Sequence, residues 1–372
     1  MKISNIILIW YKKNKRDLPW RTSNDPYNIW LSEVILQQTQ VKQGLSYYLR
    51  FIERWPDVSS LASATEEEVL KEWQGLGYYS RARNLHTAAN QVMVDYGGVF
   101  PCSYEELINL KGVGKYTAAA VSSIACGEAV PVVDGNVSRV LSRLFAFQEP
   151  VNTGRGLSQI ESFARELLDD DSPGEYNQAL MEFGALHCKP VGPDCRGCPL
   201  NHLCAAYQQD DVSHYPVKVK KKPSRQRFFY YLIISHRGKV YMQQRNDNDI
   251  WRKLYEFPLM ETDEKLSEEE LIKRVPRFTG LSPEKIHIEK ISPEIKHILT
   301  HRTIIARFIH VEIPADVGPL NGRNLLHISD SEVDALPVPR LIDRYIDLGS
   351  WLLVAGSWWL VVGSWWLVAG GW

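Results

Sequence analysis

Four cysteines, Cys188, Cys195, Cys198 and Cys204, crowd into residues 188–204 in the pattern C-x6-C-x2-C-x5-C. In a chain with no export signal, thiols this close are expected to converge on one metal centre rather than to pair as disulfides. Zinc ribbons use two C-x2-C knuckles and only one is present here. The wider spacings, stiffened by Pro190, Pro193 and Pro199, suit an iron–sulfur cubane, with zinc the alternative. Cys102 and Cys126 stand alone and read as small buried hydrophobes. Two carboxylates stand out next. Glu33 sits in the apolar stretch WLSEVILQQTQV (30–41), where a half-buried pocket would raise its pKa and let it hold a proton near neutrality; the competing reading is a solvated Glu on an outer helix face. Asp134, in VPVVDGNVSRVLSR (130–143), precedes an amphipathic helix as its N-cap, and the helix dipole and backbone donors are expected to keep it ionised. One protonated and one ionised carboxyl are the general equipment for breaking a glycosidic bond through an oxocarbenium-like state.

A phosphate-gripping element accompanies them. In LKGVGKYT (110–117), Gly112 and Gly114 permit a tight turn that leaves backbone N–H groups at a helix start pointing outward, and Lys111 and Lys115 add positive charge. Such a hairpin positions a DNA backbone without reading sequence. Trp20, Tyr78 and Tyr79 are aromatic platforms for a displaced base, and Gln37, Gln38 and Thr39 suit base edges or sugar-phosphate. Together these residues point to N-glycosidic chemistry on DNA.

The elements that must position these groups follow from composition and periodicity. At 372 residues the chain exceeds one compact core, and 44% hydrophobic with 23% charged residues excludes a largely disordered protein. The net charge of −1 conceals two basic stretches, residues 1–50 with eight basic against three acidic groups and residues 218–227 with six basic and none acidic. Apolar positions recur at helical spacing over 29–52, 66–74, 80–95, 104–109, 115–126, 135–147, 157–168 and 175–187, so residues 1–207 are expected to form an all-α domain that includes the four-Cys loop 188–204. The polar, basic segment 208–227 reads as a linker. From 228 to 345 the pattern is α+β: strands at 228–235 and 239–245 around a turn at His236-Arg237-Gly238, a helix at 266–275 and a strand at 303–313. The N-terminus lacks the order of a secretory signal, so a cytoplasmic, DNA-associated protein is expected. Residues 346–372 end the chain as a tail whose segment 349–372 is an uncharged Trp-rich seven-residue repeat, long enough for a membrane span. Its recurring Gly-Ser and lack of a polar anchor favour a translated tandem DNA repeat without function, and no membrane attachment is expected.

The strings LPWR (18–21), WLSEVILQQTQV, GLGYYSRARNL (75–85), LKGVGKYTAAAV, VDGNVSRVLSR and the four-Cys loop, in this order, resemble the MutY family of adenine DNA glycosylases in the helix-hairpin-helix superfamily. The resemblance is strong to about residue 210 and weaker over 228–345. It implies a 4Fe–4S cluster on Cys188, Cys195, Cys198 and Cys204, and a monomer acting on double-stranded DNA that holds adenine opposite 8-oxoguanine or guanine. It further implies that Glu33 is the acid that protonates adenine and that Asp134 stabilises the sugar cation, supported by Tyr116 and Asn136. Arg21, Leu36 and Gln178 match positions lining the adenine pocket, and Gln38 and Tyr78 match residues inserted near the opposing base. The endonuclease III branch carries a Lys at the position of Tyr116 that attacks the sugar and cuts the strand. Lys115 lies one residue early, so a monofunctional glycosylase is expected, with a bifunctional lyase or a non-catalytic damage binder as alternatives. The second domain resembles the family's Nudix-like recognition module through WRKLYEFP (251–258), without a catalytic Nudix box. HILTHRT (297–303) takes the place of the family's F-S-H segment, with Leu299, Thr300 and His301 at its positions; Thr keeps a hydroxyl but the wedge is changed. Lys111 replaces a common Pro in the hairpin.

Overall fold

The computed structural model describes residues 2–219, 225–246, 249–299, 302–314, 316 and 324–347. Thr300, His301 and the repeat tail lie outside the described residues. The chain divides into two compact units, residues 1–223 and 224–372.

The first unit is helical. Its helices are α1 (Ile3–Asn14), α2 (Pro26–Leu36), α3 (Val41–Arg54), α4 (Val58–Ser63), α5 (Glu66–Glu72), α6 (Ser80–Asp95), α7 (Tyr104–Leu107), α8 (Lys115–Cys126), α9 (Gly135–Leu144), α10 (Gly154–Leu167), α11 (Pro173–Leu186) and α12 (Ala205–Gln208). Local chemistry sets many of the boundaries. Reciprocal capping boxes open α4 (Asp57 with Ser60) and α5 (Thr65 with Glu68), Pro occupies the first turn of α2 and α11, and Gly127 ends α8 in the left-handed region. The long periodic stretch 29–52 divides into α2 and α3 at a turn where Gln38 adopts φ 56°. Helix α1, not expected from the sequence, inserts Ile7 and Tyr11 into a core with Val137 and Leu141 of α9, Ile160 of α10, and Phe183 of α11. Each such side chain contributes about 1.5–3 kcal/mol by leaving water. Helix α9 is buried from Val137 through Leu144, so the residue capping its N-terminus is held rigidly.

Two sequence expectations are corrected here. Cys102 and Cys126 are not isolated buried thiols: they form a disulfide with a Cα–Cα distance of 5.7 Å, although 24 positions separate them. The chain reverses between α7 and α8, and this returns the end of α8 to the segment before α7, a proximity that linear spacing hides. Residues 208–219, expected to be free linker, instead pack on the first unit. Tyr215 is buried, Val151 N–H donates to the Val217 carbonyl at 3.0 Å, and Arg143 Nε donates to the Tyr215 carbonyl at 3.2 Å.

The second unit is built on a mixed sheet with helices. Its elements are β1 (Arg225–His236), β2 (Lys239–Gln244), β3 (Tyr255–Glu256), β4 (Leu259–Thr262), α13 (Glu268–Thr279), β5 (His287–Ile291), β6 (Ile295–Ile298), β7 (Arg302–Glu312), β8 (Leu326–Ile328), α14 (Asp330–Ala335) and α15 (Arg340–Asp347). Strands β1 and β7 pair in parallel from Arg225↔Arg302 to Ser235↔Glu312; every other pair is antiparallel. The β1–β2 turn places Arg237 and Gly238 at φ 49° and 72°, as a two-residue hairpin with right-handed strand twist requires. No helix among the described residues is long and apolar enough to cross a membrane.

Candidate active site

Three elements of the first unit meet at one open cleft of about 690 Å³. Its walls include Glu33 and Leu36 of α2, Gln38 of the following turn, Gly114 and Tyr116 at the start of α8, and Asp134 at the start of α9. Helix α2 is buried over most of its length, with Ile29, Trp30, Leu31, Val34 and Ile35 in the core, so Glu33 is presented from a fixed backbone. The Tyr116 hydroxyl donates to Glu33 Oε2 at 2.6 Å and lies 3.5 Å from Met181 Sδ of α11. Burial raises the Glu33 pKa from 4.5 to about 7; the Tyr116 hydrogen bond and the Arg21 charge pull it down, and the Asp134 charge pushes it up. Burial likewise holds the Tyr116 phenol well above its ordinary value, so it stays a donor.

Asp134 caps α9: its Oδ1 accepts from Val137 N–H at 2.7 Å and its Oδ2 from Asn136 Nδ2 at 2.7 Å. Asn136 is oriented in turn by Arg139, whose Nη2 donates to its Oδ1 at 2.9 Å. The direction of the Asp134 shift reverses what capping alone predicts. Burial in the cleft wall raises its pKa, and the donors from Val137 and Asn136 offset this only in part. Both carboxyls are thus shifted upward by burial in the wall of one cleft, and the Asp134 charge adds to the rise at Glu33.

The hairpin glycines differ in role. Gly112 has φ 78°, and a Cβ there would lie 2.5 Å from Asn84 Cβ. Gly114 has an ordinary extended φ of −98° and a Cβ there would meet nothing within 4 Å, so the turn does not require its backbone freedom. Its bare Cα instead leaves the α8 N-terminus open to the cleft. Lys111 N–H donates to Gln91 Oε1 at 2.6 Å. Lys115, with a side chain 74% exposed, reaches Glu161 at 3.9 Å and lines a neighbouring pocket rather than the cleft. Arg21 and Gln178 are also absent from the cleft walls. They meet at Tyr11, whose ring lies under the Arg21 guanidinium and whose hydroxyl donates to Gln178 Oε1 at 3.3 Å. Tyr78 is 45% exposed and has φ 48°.

One participant, Glu182, carried no signal of its own in the sequence, and Gln37 takes a role other than the nucleic-acid contact expected for it. Glu182, 1% exposed, accepts bidentately from Arg16 (2.8 and 2.6 Å) and from Arg21 (3.1 and 2.9 Å). Burial alone would raise its pKa, but these donors outweigh burial and hold it at about 2. Gln37 Nε2 donates to Thr117 Oγ1 at 3.1 Å and ties α2 to α8. Helical spacing places 182 four residues beyond 178 on one face of α11, but nothing in it pairs that face with residues 16 and 21.

Cys188, Cys195, Cys198 and Cys204 are unpaired and surround a single small cavity of about 30 Å³, further lined by Arg143 and His187. Arg143 Nη1 donates to Cys188 Sγ at 3.3 Å. Among the described residues no three His, Cys, Asp or Glu groups are placed to hold a single ion. Four unpaired thiols around one cavity are a donor set that suits a metal–thiolate group.

Residues 31–167 match the HhH-GPD superfamily of base excision DNA repair proteins, and residues 229–348 match the NUDIX domain. The solved structure of a thermostable thymine-DNA glycosylase is similar to the chain with a TM-score of 0.52 and 31% identity, covering 55% of this chain and 95% of that one. Fold and site thus define a base excision DNA glycosylase with a helix-hairpin-helix catalytic unit and a Nudix-like second unit. The adenine DNA glycosylase of Mus musculus is 33% identical over 374 residues, covering 85% of this chain and 72% of that protein. That of Buchnera aphidicola subsp. Baizongia pistaciae is 33% identical over 345 residues, covering 90% and 93%. The chain belongs to the adenine DNA glycosylase family.

Proposed function

We propose that the chain hydrolyses the N-glycosidic bond of adenine mispaired with 8-oxoguanine or guanine in double-stranded DNA, and that it acts as a monomer. The observation that carries this reading is the 2.6 Å hydrogen bond from Tyr116 to a Glu33 carboxyl whose pKa of about 7 keeps it substantially protonated at neutral pH, in the same cleft as Asp134. The bond cannot be reached in the stack, so the adenine is extruded, at a cost of a few kcal/mol for a mismatch. Glu33 transfers its proton to an adenine ring nitrogen, which turns the base into a neutral leaving group. Asp134, oriented by Val137 N–H and Asn136, carries the negative charge that stabilises the sugar cation, and water completes the hydrolysis. Leu36 acts on the adenine from the cleft wall, while Arg21 and Gln178, which stand off that wall at Tyr11, act on it only indirectly. Gln38 and Tyr78 act on the opposing base, and Lys111, Gly112, Gly114 and Lys115 on the phosphate backbone. Thr300 and His301 are assigned to 8-oxoguanine recognition in the second unit.

The reaction is monofunctional, because Tyr116 offers no amine and Lys115 faces Glu161. Cys188, Cys195, Cys198 and Cys204 would hold a 4Fe–4S cluster; when bound it supplies metal–thiolate bonds that tie loop 188–204 together. The lining of one cavity by all four unpaired thiols and the Arg143 donor to Cys188 support that assignment. A nicking assay on an 8-oxoguanine:adenine duplex tests the function. Breaks on the adenine strand that require added alkali are expected, and none with Glu33→Gln. Breaks without alkali would favour an endonuclease III-like lyase, and full activity of the variant would remove Glu33 from the chemistry.

A further inference from the structure

Arg81, in the first turn of α6, is 8% exposed, and among the described residues its two Nη groups bond neutral acceptors on two separate turns while Nε has no partner. Towards the first, Nη1 donates to the carbonyls of Val34 (2.9 Å), Ile35 (3.0 Å) and Gln37 (2.6 Å), and Nη2 reaches Thr39 Oγ1 at 3.4 Å. Towards the second, Nη2 reaches the carbonyls of Leu76 (3.5 Å) and Gly77 (3.2 Å), while the group lies over the rings of Trp73 (5.0 Å) and Tyr78 (5.6 Å). The carbonyls at the end of α2 have no helical partner and carry the negative end of the helix dipole, which suits a buried cation. Desolvation lowers the Arg81 pKa only to about 10, so it stays charged.

Each bridged turn holds one non-glycine residue in the left-handed region, Gln38 at φ 56° and Tyr78 at φ 48°, and both are exposed. Such backbones persist only where the surroundings over-determine them. We propose that Arg81 is a positioning residue: it fixes the two turns at one separation so that Gln38 and Tyr78 reach the strand opposite the target adenine together and report on the base there. The proposal rests on the adenine glycosylase reading above. A lysine keeps the charge but, as a point donor on a flexible stem, cannot replace a planar fork that serves both turns at once.

The test compares single-turnover adenine release from 8-oxoguanine:adenine and guanine:adenine duplexes. Arg81→Lys is expected to compress the ratio of the two rates at least tenfold while leaving the pH dependence of cleavage unchanged, because the Glu33–Tyr116 pair is not touched. Adding Arg81→Lys to a Gln38→Ala/Tyr78→Ala variant is expected to change the ratio less than twofold, since the residues it positions are gone. Equal slowing on both duplexes, or independent multiplication of the effects, would reduce Arg81 to a structural strut and overturn the proposal. Should Arg81→Lys not fold, Thr39→Val removes one acceptor of the fork; a ratio compressed about twofold supports the proposal and an unchanged ratio overturns it. A wild-type protein that releases adenine from neither duplex overturns the underlying reading instead.

Discussion

Glu33→Gln is expected to abolish base release and, at alkaline pH, to make the protein more stable. The folded-state pKa of Glu33, about 7, lies above its ordinary value of 4.5, so the folded chain binds this proton more tightly than the unfolded chain does. Below about pH 4.5 both states are protonated and the group costs nothing; as pH rises from 4.5 through 7 the folded state must ionise a buried carboxyl or resist doing so, and above 7 the penalty is complete. From 4.5 to about 7, at about 1.4 kcal/mol for each tenfold, the penalty is about 3 kcal/mol. The carboxyl borders an open cleft, and water there reduces this to roughly 1.5–3 kcal/mol. For a unit of this size that corresponds to roughly 3–10 °C in the melting temperature. Glutamine is isosteric and its carbonyl still accepts from Tyr116, so little else changes. Calorimetry of wild type and variant at pH 5 and pH 8.5 reads the effect: the helical unit of Glu33→Gln should melt higher at pH 8.5, and the difference should shrink towards zero at pH 5. An equal difference at both pH values refutes the assignment of a raised pKa. The wild-type rate should fall about tenfold per pH unit above 7, because the proton donor is lost.

The remaining expectations use the same geometry. Tyr116→Phe removes the hydrogen bond that lowers the Glu33 pKa, so the alkaline limb of the rate profile should move to higher pH; a limb that stays or moves down contradicts that role. Gly112→Ala places a methyl 2.5 Å from Asn84 Cβ at a positive φ and should cost about 2 kcal/mol or more in urea unfolding. Gly114→Ala should fold normally but weaken DNA binding at least tenfold in a fluorescence anisotropy titration, because its methyl occupies the space a phosphate needs; unaltered affinity argues against phosphate contact there. Cys102→Ser opens a loop closed across 24 positions and should destabilise by about 3 kcal/mol. Reductant should destabilise the wild type equally and leave the variant unaffected; a reductant effect on both would point to another target.

Much of the helical unit is legible in the residues because its signals are local. Periodic apolar faces, capping boxes and proline starts lie within one or two turns of the backbone groups they satisfy, and α6 and α8 accordingly span the periodic windows 80–95 and 115–126. The same holds for the chemical residue types: a Glu inside an apolar run and an Asp before Gly-Asn are visible before any fold is known. Local signals fail where the partner is remote. Ile3, Ile6, Ile7, Trp10 and Tyr11 of α1 pack against the core, yet no side-chain cap or breaker frames them as a helix. Short strands such as β5 and β6 are stabilised by pairing with β7 and not by alternation of their own.

The sequence by itself determined the chemical inventory, meaning which groups titrate, which turn is tight and which thiols are clustered, because those properties belong to single residues or to neighbours along the chain. Only the tertiary structure decided how the inventory behaves. It set the sign of the Asp134 shift, because burial by the cleft outweighs a local cap. It joined Cys102 to Cys126, because the chain reversal between α7 and α8 returns the end of α8 to the segment before α7. It made one arginine the link between two turns about forty residues apart in sequence. Desolvation and long-range pairing depend on what the remainder of the chain brings within a few ångströms, and linear spacing does not encode that distance.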